Sequence, residues 1–283
     1  NAIEKIRLTM DFNRVILNAE EGRSMRLGVC TGFENIGLAA RAGFDYLECS
    51  ISALAAMSDA EFAALEARDF PIPVLKGNCM APGSVKVCGP EASEAAWRAY
   101  LTRAFSRAHA LGVQIAVFGS GAARGVPNGF AFDAAWTQIL AFLRVAAEIA
   151  EQNGLRVAIE PLRREECNIV NYVSESVLLS ASVGSPAIVA LGDSFHMLTV
   201  REPFGALENA GERLLHVHIS RALNDLSGRE YPYPGDGVDY ESMFDVLKRM
   251  GYRGDVSIEA ATHNFAFDAP RAVERLKPLM GTN

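Results

Sequence analysis

From Met25 onward, short apolar runs alternate with longer segments in which apolar residues recur at helical spacing. Each short run is nearly continuous, as expected for a parallel strand that is buried on both faces. Several of the longer segments end at a glycine, such as Gly43, Gly112 and Gly251, which is typical of helix ends. Eight strands are predicted at 26–30, 45–49, 73–78, 113–118, 155–160, 187–191, 214–218 and 256–259. Eight helices are predicted at 34–42, 58–68, 92–110, 132–152, 174–183, 203–210, 240–250 and 270–280.

Eight strand–helix units in one chain indicate an α/β protein of the (β/α)8 TIM-barrel type. A doubly wound open sheet shows the same local alternation and is the structural alternative. The number of repeats, and the polar residues at many strand ends, favour closure into a barrel. We therefore expect a single catalytic barrel domain over residues 25–283. Residues 1–24 lack this alternation and lack the apolar core of a secretory signal, so we expect an N-terminal extension of unknown role there.

Composition narrows the class of protein. The chain has 283 residues, and 49% of them are hydrophobic, which suits a globular protein with a large core. A formal net charge of −7 disfavours a nucleic-acid partner, because such binding depends on clustered lysine and arginine. The five cysteines form no Cys-x-x-Cys pair, and no apolar run is long enough for a membrane span. We therefore expect a cytoplasmic protein without a disulfide framework or zinc ribbon.

The carboxyl ends of the last four predicted strands carry metal-ligating side chains. Glu160, Asp193 and Glu259 each follow an apolar run, and His218 ends the seventh strand. In a barrel these strand ends meet at one face, so the four side chains can converge. Three buried carboxylates would repel one another unless a cation lies between them. We therefore predict one divalent metal ion, manganese first, with magnesium, cobalt or zinc as alternatives.

Strand alternation assigns side chains to the two faces of the barrel wall. In the fifth strand, Ala158 shares the inward face with Glu160. In the seventh, His216 shares the inward face with His218, whereas Leu215 is expected to face the helices. Each predicted ligand can therefore point inward while its apolar neighbours remain packed.

Four short motifs around these side chains resemble those of the xylose isomerase-like barrels. They are Ile159-Glu160-Pro161-Leu162, Asp193-Ser194-Phe195-His196-Met197, His216-Val217-His218 and Ser257-Ile258-Glu259. Within that family the chain is most similar to the sugar phosphate isomerase/epimerase group, which includes the tagatose and psicose 3-epimerases. The resemblance runs from about Met25 to Met280. It implies a metal-dependent isomerase or epimerase that acts on a small sugar or sugar phosphate.

The resemblance also implies roles for individual side chains. The implied metal ligands are Glu160, Asp193, His218 and Glu259. Glu166, His196 and Arg229 would contact substrate oxygens. Arg229 departs from the family pattern, because it precedes its Pro-Gly-Asp-Gly turn by a longer gap than the corresponding arginine of the epimerases.

Position along the strands adds further candidates for substrate binding. The loop over residues 119–125 follows the fourth strand and is rich in glycine, so its backbone and Arg124 could bind a phosphate or carboxylate of the substrate. Asn78 and Glu48 lie at strand ends and could line the pocket. A flexible loop that needs glycine for its turns is the alternative interpretation of 119–125.

These residues suggest proton transfer beside a ketose carbonyl. A carbonyl oxygen and a neighbouring hydroxyl would chelate the ion, which would stabilise the enediolate that forms when the adjacent C–H loses its proton. Glu160 and Glu259 are the predicted catalytic acid and base. Return of the proton to the opposite face would give epimerisation, and return to the neighbouring carbon would give aldose–ketose isomerisation.

Three other functions stay open from the sequence. A dehydratase of a keto-polyol or cyclic keto acid would use the same enolisation and nearly the same ligands. An apurinic endonuclease of the same superfamily holds three zinc ions, but Asn78 and Ser120 occupy strand ends where that site needs histidines. A non-catalytic sugar sensor is the third. The expected partners are a small sugar or keto-polyol and, since such barrels often pair, a second copy in a homodimer or homotetramer.

Overall fold

Ten strands lie within residues 25–281, and eight of them form the centre of the fold. The structure, a computed structural model, describes residues 25–281, so the predicted extension over residues 1–24 lies outside the described residues. The strands are β1 (Arg26–Cys30), β2 (Tyr46–Ser50), β3 (Val74–Asn78), β4 (Ile115–Phe118), β5 (Arg156–Ile159), β6 (Ile188–Asp193), β7 (Leu214–Ile219), β8 (Arg221–Ala222), β9 (Arg229–Glu230) and β10 (Asp255–Ile258). All but β8 and β9 close into a parallel barrel in the order β1-β10-β7-β6-β5-β4-β3-β2, which confirms the predicted TIM barrel.

Helices follow the barrel strands and cover the outside of the barrel. They are α1 (Ile36–Ala42), α2 (Ile51–Ala56), α3 (Asp59–Glu66), α4 (Glu94–Ala110), α5 (Gly121–Arg124), α6 (Phe132–Gln152), α7 (Val173–Val183), α8 (Ser194–Thr199), α9 (Glu241–Arg249) and α10 (Phe265–Leu276). The described part of the chain also contains 3-10 helices at Phe33–Asn35, Phe204–Arg213 and Lys277–Met280. Among the described residues 25–281, no helix has the length and apolar character that a membrane crossing needs.

Local sequence signals explain several helix ends. Ser58 caps α3 and forms a capping box with Glu61, as its place before the predicted helix indicated. Gly43 ends α1 at φ 97°, in the left-handed region that glycine adopts without steric cost. The last helix begins at Phe265, earlier than predicted, because the Asn264 side chain accepts a hydrogen bond from the backbone of that first turn.

The barrel interior is apolar on the side formed by β4, β5 and β6. The inner apolar cluster consists of Ile115, Val117, Ala158, Val189 and Leu191. It is separate from the larger core between strands and helices, to which Val157 and Ile159 belong. Ala158 therefore faces inward, as predicted.

The opposite side of the interior is polar. Tyr46 Oη and Ser257 Oγ are 2.7 Å apart in a buried hydrogen bond between β2 and β10. Lys76 Nζ and a nitrogen of Arg26 each lie 2.7 Å from Asp255 Oδ2. Burial alone would raise the pKa of Asp255, but these two cations outweigh it and hold that pKa well below its ordinary value. The buried Lys76 is therefore stable at this depth only with its carboxylate partner.

A register shift between β6 and β7 corrects one predicted face. The shift falls between Ala190 and Leu191, at the position of Leu215. Leu215 packs against the inner apolar cluster, so the prediction that it faces the helices was wrong. His216 and His218 follow the shift and point inward, as predicted.

Candidate functional site

Four side chains at the carboxyl ends of adjacent barrel strands converge on one point. Glu160 follows β5, Asp193 ends β6, His218 lies near the end of β7, and Glu259 follows β10. One ligand atom from each of the four lies within 4.8 Å of the others. His218 Nδ1 is 2.9 Å from Glu160 Oε1, 2.9 Å from Glu259 Oε2 and 3.8 Å from Asp193 Oδ2. The structure thus brings together the four side chains that the sequence analysis grouped, and we call them the ligand cluster.

The ligand cluster concentrates negative charge in a buried place. Burial, together with the nearby charge of Glu259, raises the pKa of Glu160 above its ordinary value. For Glu259 burial acts in the same direction, but His218 and Arg229 outweigh it and lower the pKa to about 2. Arg229 lies 2.8 Å from Asp193 Oδ2 and 2.9 Å from Glu259 Oε2. Cationic groups therefore already approach the carboxylates from two sides.

The ligand cluster fits a divalent cation. Three carboxylates and one imidazole are the hard and borderline donors that such ions take in proteins. The Oε2 atom of Glu259 is buried and makes no well-aligned hydrogen bond to any residue in the part of the chain that the structure describes, although His218 and Arg229 are close to it. A ligand atom of a buried carboxylate is thereby left for a further partner.

Glu48 lies behind the ligand cluster and joins two histidines. Its Oε1 atom is 3.0 Å from His218 Nε2, and its Oε2 atom is 2.8 Å from His216 Nε2. His216 Nδ1 is in turn 3.1 Å from the backbone oxygen of Asp255. All three side chains are fully buried. Glu48 therefore orients His218 with Nδ1 toward the other ligands. Glu48 also lines the cavity, as predicted, but the sequence analysis missed its contact with the histidines.

A signal for this role was present in the alternation of β2. Tyr46 and Glu48 share one face of that strand, and Tyr46 is bonded inside the barrel to Ser257. A carboxylate two residues beyond an inward side chain must also point inward. Cys30, Glu48 and His218 form a second group of potential metal ligands. Both oxygens of Glu48 already accept hydrogen bonds from imidazoles, so the ligand cluster is the better candidate for a metal site.

His196 lies near the ligand cluster, close enough to Glu160 for the two side chains to interact electrostatically. It lies in the first turn of α8, where its backbone N–H donates to Asp193 Oδ1 at 2.9 Å. Its Nδ1 accepts a hydrogen bond of 3.2 Å from the Arg163 backbone, so the ring proton of the neutral form is on Nε2. His196 Nε2 is buried and has no protein partner among the described residues. It can therefore donate to a bound oxygen.

Asn78 and Arg229 line a cavity of about 900 Å³ that reaches the ligand cluster at Glu259. Asn78 ends β3, and Arg229 begins β9 of the short hairpin that the sequence analysis did not predict. Glu166 is exposed and paired with Arg163 at 2.7 Å, and it lies close enough to Arg229 for the two charges to interact. The substrate roles of Asn78, Arg229 and Glu166 stay predictions.

Arg124 is buried and does not line the cavity described above. Its side chain is fully buried, and its guanidinium donates to the backbone oxygens of Phe118, Glu160 and Val170 at 2.7, 2.7 and 3.3 Å. The glycine-rich segment forms the short helix α5, which turns this side chain back into the protein. The terminal nitrogens of Arg124 donate to carbonyl groups, and its Nε is buried without a partner among the described residues. The prediction that Arg124 binds a substrate phosphate or carboxylate therefore has no support from the structure, since the side chain does not line the cavity.

Several relatives found by comparison with known proteins are named as sugar 3-epimerases. An L-ribulose 3-epimerase of Mesorhizobium japonicum is 28% identical over 126 residues, which are 44% of this chain and 40% of that protein. A D-psicose 3-epimerase of Agrobacterium fabrum is 26% identical over 230 residues, covering 78% of this chain and 76% of that protein. The first relatives are matched over only about two fifths of their length.

A structural comparison and a family comparison give results consistent with these relatives. A crystal structure of D-psicose 3-epimerase in the presence of D-fructose superposes with a TM-score of 0.78 at 21% identity, over 91% of this chain and 100% of that one. The sequence model of the xylose isomerase-like TIM barrel matches residues 36–279, which is most of the barrel described above. The chain therefore belongs to the xylose isomerase-like TIM barrel family, as its motifs suggested.

Proposed function

We propose that this protein is a metal-dependent ketose 3-epimerase, which inverts the carbon next to a ketose carbonyl. The observation that carries the proposal is the approach of two carboxylates, Glu160 and Glu259, to the same nitrogen of His218, each at 2.9 Å. The relatives named L-ribulose 3-epimerase and D-psicose 3-epimerase support a ketose as the substrate. No feature of the site favours the dehydratase alternative.

The ligand cluster would hold one divalent ion, for which we propose manganese ahead of magnesium, cobalt and zinc. When bound, the ion supplies Lewis-acid polarisation of the ketose carbonyl. Arg229 lies against Asp193 and Glu259, so it limits the repulsion among the carboxylates. Glu48 fixes the ring of His218 from the opposite side.

Glu160 and Glu259 would carry the proton transfers. They follow β5 and β10, and β6 and β7 lie between those strands in the barrel. A substrate between the two carboxylates would therefore meet one on each face. One carboxylate removes the proton from the carbon, and the other, in its protonated form, returns a proton to the opposite face, so the carbon is inverted.

Neutral and cationic donors would hold the sugar oxygens. The Nε2–H of His196 is available for a hydroxyl or carbonyl oxygen, and Asn78 offers an amide at the cavity wall. Arg229 can contact a substrate oxygen at the same cavity while it remains paired with Asp193. Such contacts place the reacting carbon between the two carboxylates, which is the main requirement for removing a proton from a weak carbon acid.

Proton NMR in deuterated water tests the proposal. With a panel of 2-ketohexoses and Mn²⁺, the wild type should exchange the proton at C3 and form the C3 epimer without an olefinic product. Glu160→Gln and Glu259→Gln should each lose at least about 100-fold in rate, because each removes one proton-transfer group. Glu94→Gln, on the exposed surface of α4, is the matched control and should keep full activity.

Two outcomes would contradict the proposal. Full turnover in both glutamine variants would show that these carboxylates do not transfer the proton. Olefinic signals would show a dehydratase. The cytoplasmic location and the homodimer or homotetramer stay predictions.

A further inference from the structure

The cavity at the candidate site is larger than a free sugar requires. Its inner end is lined by Asn78, Arg229 and Glu259, and its outer end by Ala64 and Arg68, on and just after α3. Its volume of about 900 Å³ is near the top of the range of roughly 300–1,000 Å³ seen for pockets that bury drug-sized ligands. A free ketohexose is much smaller than such ligands, so space remains beyond the sugar.

The walls of the cavity beyond its inner end are mostly apolar. The apolar residues that line this part are Phe33, Ala53, Leu54, Met57, Ala64 and Leu65. Such walls offer few partners for sugar hydroxyls, which lose hydrogen bonds to water when they are buried without a donor or acceptor. They suit a ligand segment with an apolar body.

The charges along the cavity disfavour a phosphate group. The carboxylates of Glu34 and Glu61 line its outer part, where both residues are exposed. Arg68 is the cation at that end, and its guanidinium lies 5.2 Å from the centre of the Phe70 ring. Arg229, at the inner end, is already paired with two carboxylates. A phosphate ester would therefore meet more negative than positive charge along the cavity.

We propose that this cavity binds an unphosphorylated ketose that carries a substituent with an apolar body, and that the substituent lies against α2 and α3. The inference rests on the proposed ketose epimerase function and names its substrate class. The sugar would occupy the inner end beside the ligand cluster. The substituent would fill the outer end, where Ala64 and Met57 leave room for it.

Substrate comparison is the first test. The probes are a free ketohexose, its 6-phosphate, and its 1-O-benzyl and 6-O-benzyl ethers, each measured by C3 proton exchange in deuterated water and by calorimetric binding to the Mn²⁺-loaded protein. At least one benzyl ether should exceed the free sugar by about tenfold or more in kcat/KM, since burying apolar groups in a fitting pocket gives discrimination of that order. The phosphate should be the poorest substrate.

A pair of variants on one helix is the second test. Ala64 lines the cavity, whereas Ala63, its exposed neighbour on α3, does not. Ala64→Trp should reduce binding and kcat/KM of the preferred benzyl ether by about tenfold while the free ketohexose changes by less than about twofold. Ala63→Trp should leave both sugars unchanged.

The outcomes separate this inference from the function on which it rests. Absence of C3 exchange with every sugar would contradict the epimerase, while the binding measurements would still rank the ligands. Preference for the free sugar or the phosphate would overturn the inference even if epimerisation occurs. So would an Ala64→Trp protein that handles the benzyl ether as well as wild type does.

Discussion

Replacement of Glu48 by glutamine should weaken metal binding without removing any ligand. Glu48 accepts from His218 Nε2 at 3.0 Å and from His216 Nε2 at 2.8 Å, inside a fully buried part of the barrel. Glutamine keeps the shape of the side chain, but its amide nitrogen cannot accept a hydrogen bond from an imidazole N–H. The glutamine can keep both partners only if His216 takes the tautomer that accepts at Nε2, and in either case the charge-assisted bonds to the carboxylate are lost. The ring of His218 is therefore less firmly held.

The expected size of the effect follows from the bond that is lost. A hydrogen bond to a charged group contributes about 1.5–3 kcal/mol. About 1.4 kcal/mol corresponds to a factor of ten in an equilibrium constant, so the expected loss of Mn²⁺ affinity is about 10- to 100-fold. That range is also typical of changes to groups that orient a metal-ligating histidine.

Calorimetric titration of metal-free protein with Mn²⁺ measures the affinity, and the visible spectrum of the Co²⁺ form reports the ligand geometry. Tyr46→Phe is the matched control, because it removes a buried hydrogen bond to Ser257 from the same strand without touching His218. Both variants should lose some stability in urea unfolding. Only Glu48→Gln should show weaker Mn²⁺ binding and an altered Co²⁺ spectrum.

One result would refute this reasoning. If folded Glu48→Gln bound Mn²⁺ as tightly as wild type and gave the same Co²⁺ spectrum, Glu48 would not orient His218 for metal binding. A loss of affinity of equal size in Tyr46→Phe would point to a general loosening of the barrel interior.

Three further variants test other parts of the account. Asp255→Asn should lower the free energy of unfolding by about 3–5 kcal/mol, because Lys76 stays buried without its counter-charge. Since the pKa of Asp255 is depressed, the wild type should keep this contribution above about pH 4 and lose it progressively as the pH falls further. Urea unfolding at several pH values should show this acid-dependent loss in the wild type and not in the variant. Arg124→Met should cost about 2–4 kcal/mol in the same assay, because buried carbonyl groups lose their donor; an unchanged stability would contradict the structural role. His196→Ala should reduce kcat/KM by about tenfold through loss of a donor, as measured by steady-state kinetics, while calorimetry should show unchanged Mn²⁺ affinity. Weaker Mn²⁺ binding with unchanged kcat/KM would contradict this role.

Strand order and strand ends were predictable because both depend on local sequence. Buried parallel strands are continuous apolar runs, so a polar residue at the end of a run is conspicuous, as with Glu160 and Glu259. The barrel rule then places all such ends at one face. The grouping of the ligand cluster therefore needed no knowledge of which helix packs where.

Other features depended on contacts between distant parts of the chain. Arg124 follows glycines in a loop that resembles an anion site, yet its carbonyl partners come from β4 and from residues near and beyond β5. Glu48 shows its inward face in the alternation of β2, but its histidine partners lie on β7, far along the chain. The position of Leu215 depends on a register shift that no local pattern signals.

Metal binding by the wild type and by two ligand variants tests the central claim most directly. After removal of bound metal and titration with Mn²⁺, the wild type should bind one equivalent, as measured by calorimetry and by metal analysis after gel filtration. Asp193→Asn and His218→Ala should fold and bind none at the same concentration. A wild type that binds no divalent ion, or variants that bind it as tightly as wild type, would contradict the proposed metal centre.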